Sequence, residues 1–237
     1  MNKKAFTLLF FTMAILLPAI YSCQEDDTPQ DSLVISTINN LPEENGFYFT
    51  LDNGETMFPG EITAASKRYE DGQRAFVMCN KLEEKVAGYD YNVRVKQIRE
   101  IPTKDIITIG DGGNTEENVG NAPVNITYMW ITHDRKYLTI EYQYYGTQNT
   151  DKEHSLNLAI NPIEPEPRSG EDADEYIHLE FRHNNEGDLS NRLEEGYVSF
   201  KLDNIKKQMG GKKGLRIRTN TIYENMKAYE VDFPTAE

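Results

Sequence analysis

Beyond residue 32, apolar and polar positions alternate with a period of two through most of the chain. Phe47, Phe49 and Leu51 alternate with Tyr48, Thr50 and Asp52, the spacing that puts successive side chains on opposite faces of a strand. Tyr89, Tyr91, Val93 and Val95 alternate with Asp90, Asn92, Arg94 and Lys96. Arg74–Asn80 (RAFVMCN) is apolar on both faces, as in a strand covered on both sides. Asp52-Asn53-Gly54-Glu55 carries the Asn-Gly pair that suits a tight hairpin turn. Adding Leu33–Ile38 and Lys104–Ile109 gives about five main strands, which suits a small closed barrel of the OB type.

The stretch Gly110–Asn118 interrupts this pattern and reads as an interdomain linker. Seven further strands are expected: Pro123–Thr132, Lys136–Tyr145, His154–Asn161, Glu175–His183, Gly196–Asp203, Gly214–Thr219 and Ala228–Phe233. Turn signals separate them, and such a run suggests a β-sandwich. Ile205–Met209 is the one candidate for a helical turn. The fold expected is therefore all-β: a five-stranded OB-type barrel over 33–112, then a seven-stranded β-sandwich over 113–237. The same alternation places Trp130 on one face with Val124, Ile126 and Tyr128, which predicts a core position. It also places His154 with Leu156, Leu158 and Ile160, and His183 with Ile177, Leu179 and Phe181. If those two strands pair antiparallel with Ile160 opposite Ile177, His154 falls opposite His183. Asp188, just past the following turn, is placed to orient one imidazole. Arg182 would point to the opposite face with Glu180 and His178, as an ion pair.

The N-terminus carries an address. Lys3 and Lys4 precede an apolar run, Ala5–Ile20, too short and too soon followed by polar residues to span a membrane. It ends in Ile20-Tyr21-Ser22-Cys23, which resembles the lipobox cut by bacterial signal peptidase II. That likeness makes 1–22 a signal peptide and Cys23 the lipidated first residue; a secreted protein cleaved nearby is the weaker alternative. Residues 23–32 read as an acidic tether. Within it, Glu25, Asp26 and Asp27 are similar to the export signal that sends Bacteroidota lipoproteins to the outer face of the outer membrane. Asp31-Ser32-Leu33 resembles an O-glycosylation motif of that phylum.

Charge narrows the partners. The chain of 237 residues holds 25 Lys+Arg against 39 Asp+Glu, a net charge of −14. Because residues 1–22 hold two lysines and no acid, the rest carries −16. A nucleic-acid backbone needs a basic surface, so it is not expected as a partner. Lys201–Arg218 is locally basic and is expected to be a solvated face, with acidic lipid or glycan as the alternative. Two cysteines cannot make a disulfide framework or a four-thiolate zinc site. Cys79 shares a face with Ala75 and Val77 and reads as a buried small hydrophobe. Gly110–Asn114 lacks the Lys-Ser/Thr of a phosphate loop. Neither a Gly-x-Ser-x-Gly elbow nor a His-Glu-x-x-His motif occurs. Glu171–Glu175 lacks the ordered pattern and glycine of a calcium loop. No catalytic residue, metal site or cofactor is expected; the candidate polar site is His154, His183 and Asp188.

Several segments together resemble the NigD-like lipoproteins of Bacteroidota. They are Gly72-Gln73-Arg74, Gly88–Val93, Thr103–Ile106, Val119–Pro123, Trp130-Ile131, Tyr137–Ile140, Leu179–Asn184 and Gly196–Phe200. The resemblance implies an N-terminal OB domain and a C-terminal β-sandwich. Members usually have an Asp where this chain has Ala122, so any role of that Asp is lost here. The function expected is a non-enzymatic binding or adaptor module, lipid-anchored at the cell surface and engaging a protein or glycan. The alternative, resting on the family's association with a bacteriocin gene cluster, is an immunity-type factor.

Overall fold

The computed structural model describes residues 30–41, 46–64, 68–147, 152–162 and 175–235. Cys23, Glu25, Asp26, Asp27 and the acidic run 171–174 lie outside them.

Five strands close a barrel: β1 (Ser32–Leu41), β2 (Gly46–Leu51), β3 (Thr56–Ile62), β4 (Arg74–Lys81) and β5 (Tyr91–Glu100), in the order β1-β2-β3-β5-β4. Alternate residues fill it, with Ile38, Phe49, Met57, Ala75, Val77, Val93 and Val95 all buried. Cys79 lies on the same inner face, 3% exposed, and burial pushes its thiol pKa up. Asp52 and Asn53 turn β2 into β3. Gly54, at φ +94, closes the turn with its amide on the Leu51 carbonyl.

A sandwich follows. One sheet runs β14-β13-β11-β10-β7 and the other β6-β12-β9-β8. The strands are β6 (Thr103–Asp105), β7 (Ile107–Thr108), β8 (Asn125–Ile131), β9 (Tyr137–Tyr145), β10 (Ser155–Ile160), β11 (Tyr176–Asn184), β12 (Leu193–Lys201), β13 (Gly214–Thr221) and β14 (Asn225–Asp232). Leu138, Ile140, Leu158, Phe181, Phe200, Leu215 and Ile217 are buried between the sheets. All seven expected sandwich strands are present.

Three expectations change. Lys104–Ile109 does not close the barrel. It splits into β6 and β7, which pair with β12 and β10 in opposite sheets of the sandwich, and Ile106 between them is buried in its core. The fifth barrel strand is β3, whose Pro59-Gly60 reads as a breaker; both residues fall where the β3–β5 register slips between Phe58 and Glu61. The barrel thus ends near residue 101 rather than 112. Gly110–Asn118 accordingly lies inside the sandwich domain, not between domains. Its last residues begin α1 (Glu116–Val119), capped by Thr115, which covers Ile109 and Ala159. Third, Trp130 is not in the sandwich core. A bulge between Ile126 and Tyr128 advances the alternation by one residue, so Met129 and Ile131 turn inward and Tyr128 and Trp130 turn out.

The outward Trp130 instead meets the barrel. Its indole N–H donates to Asp52 Oδ2 at 2.6 Å. Asp52 is also held by the fork of Arg74: Nη1 to Oδ1 at 2.6 Å and Nη2 to Oδ2 at 2.7 Å. Arg74 is fully buried and donates further to Thr37 of the barrel (3.1 Å) and Thr139 of the sandwich (3.4 Å). Tyr137 donates to the Gly72 carbonyl at 2.9 Å, and Phe76 packs edge-on against Tyr197. The double-sided apolarity of Arg74–Asn80 now has a cause: β4 faces the barrel core on one side and the sandwich on the other.

Candidate functional site

His154 precedes β10 and His183 is the next-to-last residue of β11. The register differs from the one expected: Leu156, not His154, stands opposite His183. A two-residue slide keeps every side chain on its face, so the imidazoles meet on the diagonal, His154 Nδ1 to His183 Nε2 at 2.8 Å. His154 Nε2 lies 3.2 Å from Asp188 Oδ2, and His183 Nδ1 lies 3.1 Å from the Pro123 carbonyl. The structure therefore brings His154, His183 and Asp188 together. His183 is 1% exposed and Asp188 6%.

Hydrogen-bond complementarity fixes the protons. His183 Nδ1 faces a carbonyl and must donate, so its Nε2 accepts from His154. His154 Nε2 faces the Asp188 carboxylate. Burial pushes the His183 pKa down to about 4, in keeping with its neutral role. Asp188 is held well below the usual carboxylate range, first by the Thr147 amide at 2.6 Å, then by the Thr147 hydroxyl at 2.8 Å and the Ser190 amide at 2.9 Å. Tyr144 stacks on the His154 ring and packs at a tilt against His183, with centroids at 4.5 and 4.7 Å. Only the fold shows that Tyr144 covers both rings. Thr147 carried no signal in the sequence. Every ring nitrogen is committed to a protein partner, so the cluster works as a hydrogen-bonded latch at the end of the sandwich. Beside it, Lys104, Lys152, Glu153, Ser155 and Glu186 rim a cavity of about 620 Å³.

The other face of β11 carries charge. Arg182 donates to Glu180 at 3.0 Å and to the Gly120 carbonyl at 2.7 Å, and it pairs with Glu116. Arg218 reaches Glu180 from β13 at 2.5 Å. Burial pushes the Glu180 carboxyl up, with Arg182 opposing. Next to this cluster, on the outer face of the five-stranded sheet, lies a second cavity of about 620 Å³. Its described wall includes Ile160, Tyr176, His178, Glu180, Arg216 and Arg218. The basic segment Lys201–Arg218 supplies Arg216 and Arg218 here, paired with Glu230 and Glu180.

Two family models match the chain: the NigD-like N-terminal OB domain over residues 35–101, and the NigD-like C-terminal β-sandwich domain over 105–233. The chain belongs to the NigD-like family. The gap between the two matches falls where β5 has ended and β6 begins. Among solved structures, this NigD-like chain is similar to a protein of unknown function from Bacteroides vulgatus: 28% identity, TM-score 0.72, covering 87% of this chain and 92% of that one. It shares its fold with a protein from Bacteroides fragilis described as a lipoprotein (15% identity, TM-score 0.65, 88% and 100% covered). It shares it also with a NigD-like immunity protein from Bacteroides caccae (16%, TM-score 0.56, 86% and 92% covered). A comparison with curated proteins found no match. No enzymatic family is indicated, and no helix among the described residues is long and apolar enough to cross a membrane.

Proposed function

We propose that this NigD-like chain is a non-enzymatic binding or adaptor module, anchored through Cys23 in the outer membrane, facing outward, and engaging a protein or glycan at the cell surface. The observation that carries the reading is the cavity on the outer face of the five-stranded sheet. It combines aromatic and apolar walls (Tyr176, Ala228) with oriented charges (Glu180, Arg216, Arg218) on a rigid strand scaffold, the mixture that makes small-molecule and side-chain sites selective. The latch histidines, by contrast, have no ring nitrogen left for chemistry. The tether fits the anchor: β1 begins at Ser32, so the nine residues after Cys23 span at most about 30 Å, and the barrel sits close to the membrane.

Detergent partitioning of wild type against Cys23→Ala tests the anchor. Wild type should partition into detergent and the variant into the aqueous phase; a variant that still partitions places the anchor elsewhere. Protease added to intact cells should degrade the protein, and full protection would put it in the periplasm. Crosslinking on intact cells should yield a partner that Arg216→Glu loses; a partner retained by that variant removes the cavity from the reading.

A further inference from the structure

The barrel carries three aromatic rings on its outside. Phe49 of β2 and Met57 of β3 are buried and stand opposite each other. Their neighbours Tyr48 and Phe58 therefore point away from the core, and the antiparallel register places them side by side. Tyr89, from the loop between β4 and β5, leans on both, with ring centroids 5.6 Å from Tyr48 and 5.1 Å from Phe58. All three residues keep part of their surface in solvent.

The polar groups around these rings are fixed. Asp90, next to Tyr89, accepts from the Thr56 amide at 2.7 Å and the Thr56 hydroxyl at 2.9 Å, and these bonds hold its carboxyl below the usual range. Glu55 accepts from the Tyr91 hydroxyl at 2.9 Å. Neighbouring cations are engaged: Arg94 pairs with Glu61 and Lys81 lies over the Tyr91 ring. In five-stranded barrels of this architecture, the face of the second and third strands and the loop between the fourth and fifth form the ligand surface. Here that face and that loop hold the aromatic trio.

Charge selects among the ligands such a face can take. A chain of net charge −14 disfavours a phosphate backbone or a sulfated chain as ligand. Partly exposed rings offer flat apolar faces to the C–H side of a sugar, and oriented carboxylates accept from its hydroxyls. We propose that the outer face of β2 and β3, with Tyr89 across it, is a binding site for a neutral oligosaccharide. The site is separate from the sandwich cavity, and neither its existence nor its test depends on that cavity.

The test is calorimetric titration of the intact, lipidated protein in a sugar-free zwitterionic detergent, using cellohexaose, maltohexaose and chitohexaose. At least one should bind. Tyr48→Ala and Tyr89→Ala should each weaken it about tenfold, the loss of one stacked ring. Tyr89→Leu keeps an apolar anchor for the loop and removes the ring, so it should lose the same factor; wild-type affinity in Tyr89→Leu would mean that Tyr89 only pins its loop and would overturn the assignment. Tyr223→Ala, at the turn between β13 and β14, should bind as wild type does. Binding of none of the three sugars, undiminished binding in both alanine variants, or preference for heparin or single-stranded DNA would each overturn the proposal.

Discussion

Arg74→Ala should loosen the junction of barrel and sandwich, and Trp130 should report it. Arg74 is fully buried and holds Asp52 with both arms of its guanidinium, while the same carboxylate takes the Trp130 N–H. Removing one member of a buried ion pair costs about 3–5 kcal/mol, because the other is left uncompensated. Asp52 keeps 21% of its side chain exposed and retains the Trp130 donor, so the lower end applies, about 3 kcal/mol. For a chain of this length that lowers the melting temperature by roughly 6–12 °C. Trp130 is the single tryptophan, so urea unfolding followed by its emission reads the junction directly. Arg74→Ala should shift the folded-state emission to longer wavelength and lower the midpoint. A double-mutant cycle with Asp52→Ala should return a coupling of at least about 1 kcal/mol. Arg74→Met separates charge from packing, since it keeps volume and removes the pair. A cost below about 1 kcal/mol with unchanged emission would show that the pair does not hold the domains together.

The His183 pKa is about 4 in the fold against about 6.5 unfolded. Only the unfolded chain takes up this proton as pH falls from about 6.5 to 4, so stability should drop across that window by up to about 3 kcal/mol and be retained above it. His183→Leu should flatten the slope of stability against pH; an unchanged slope would place the titration elsewhere. Asp188, whose pKa is depressed, adds a loss in the same direction at lower pH. Gly120 sits at φ +73, and a Cβ there would come within 2.6 Å of the Asn184 backbone. Gly120→Ala should therefore cost about 2 kcal/mol or more in thermal unfolding, and a neutral result would mean the α1–β11 contact yields. The corresponding backbone clash is absent at Gly88, where a Cβ meets nothing within 4 Å though φ is +89, so Gly88→Ala should lose only the smaller conformational term, about 1 kcal/mol.

The period-two alternation was enough to establish an all-β chain, the seven main sandwich strands and the inward faces of β2 and, from Tyr91 on, of β5, because burial on one face of a strand must repeat every second residue. It also put His154 and His183 on inner faces. Three matters needed the tertiary structure. A β-bulge moves Trp130 from the inner to the outer face with no distinctive residue to announce it. Strand pairing is set by long-range packing, which is why β3, despite its Pro59-Gly60, completes the barrel and 103–108 joins two sheets of the sandwich. Registers that differ by two residues bury the same faces, so the alternation could not separate His154 opposite His183 from the observed diagonal, in which Leu158 stands opposite Phe181. The sequence by itself determined which side chains could be buried together; contacts between residues far apart in the chain decided which of them meet.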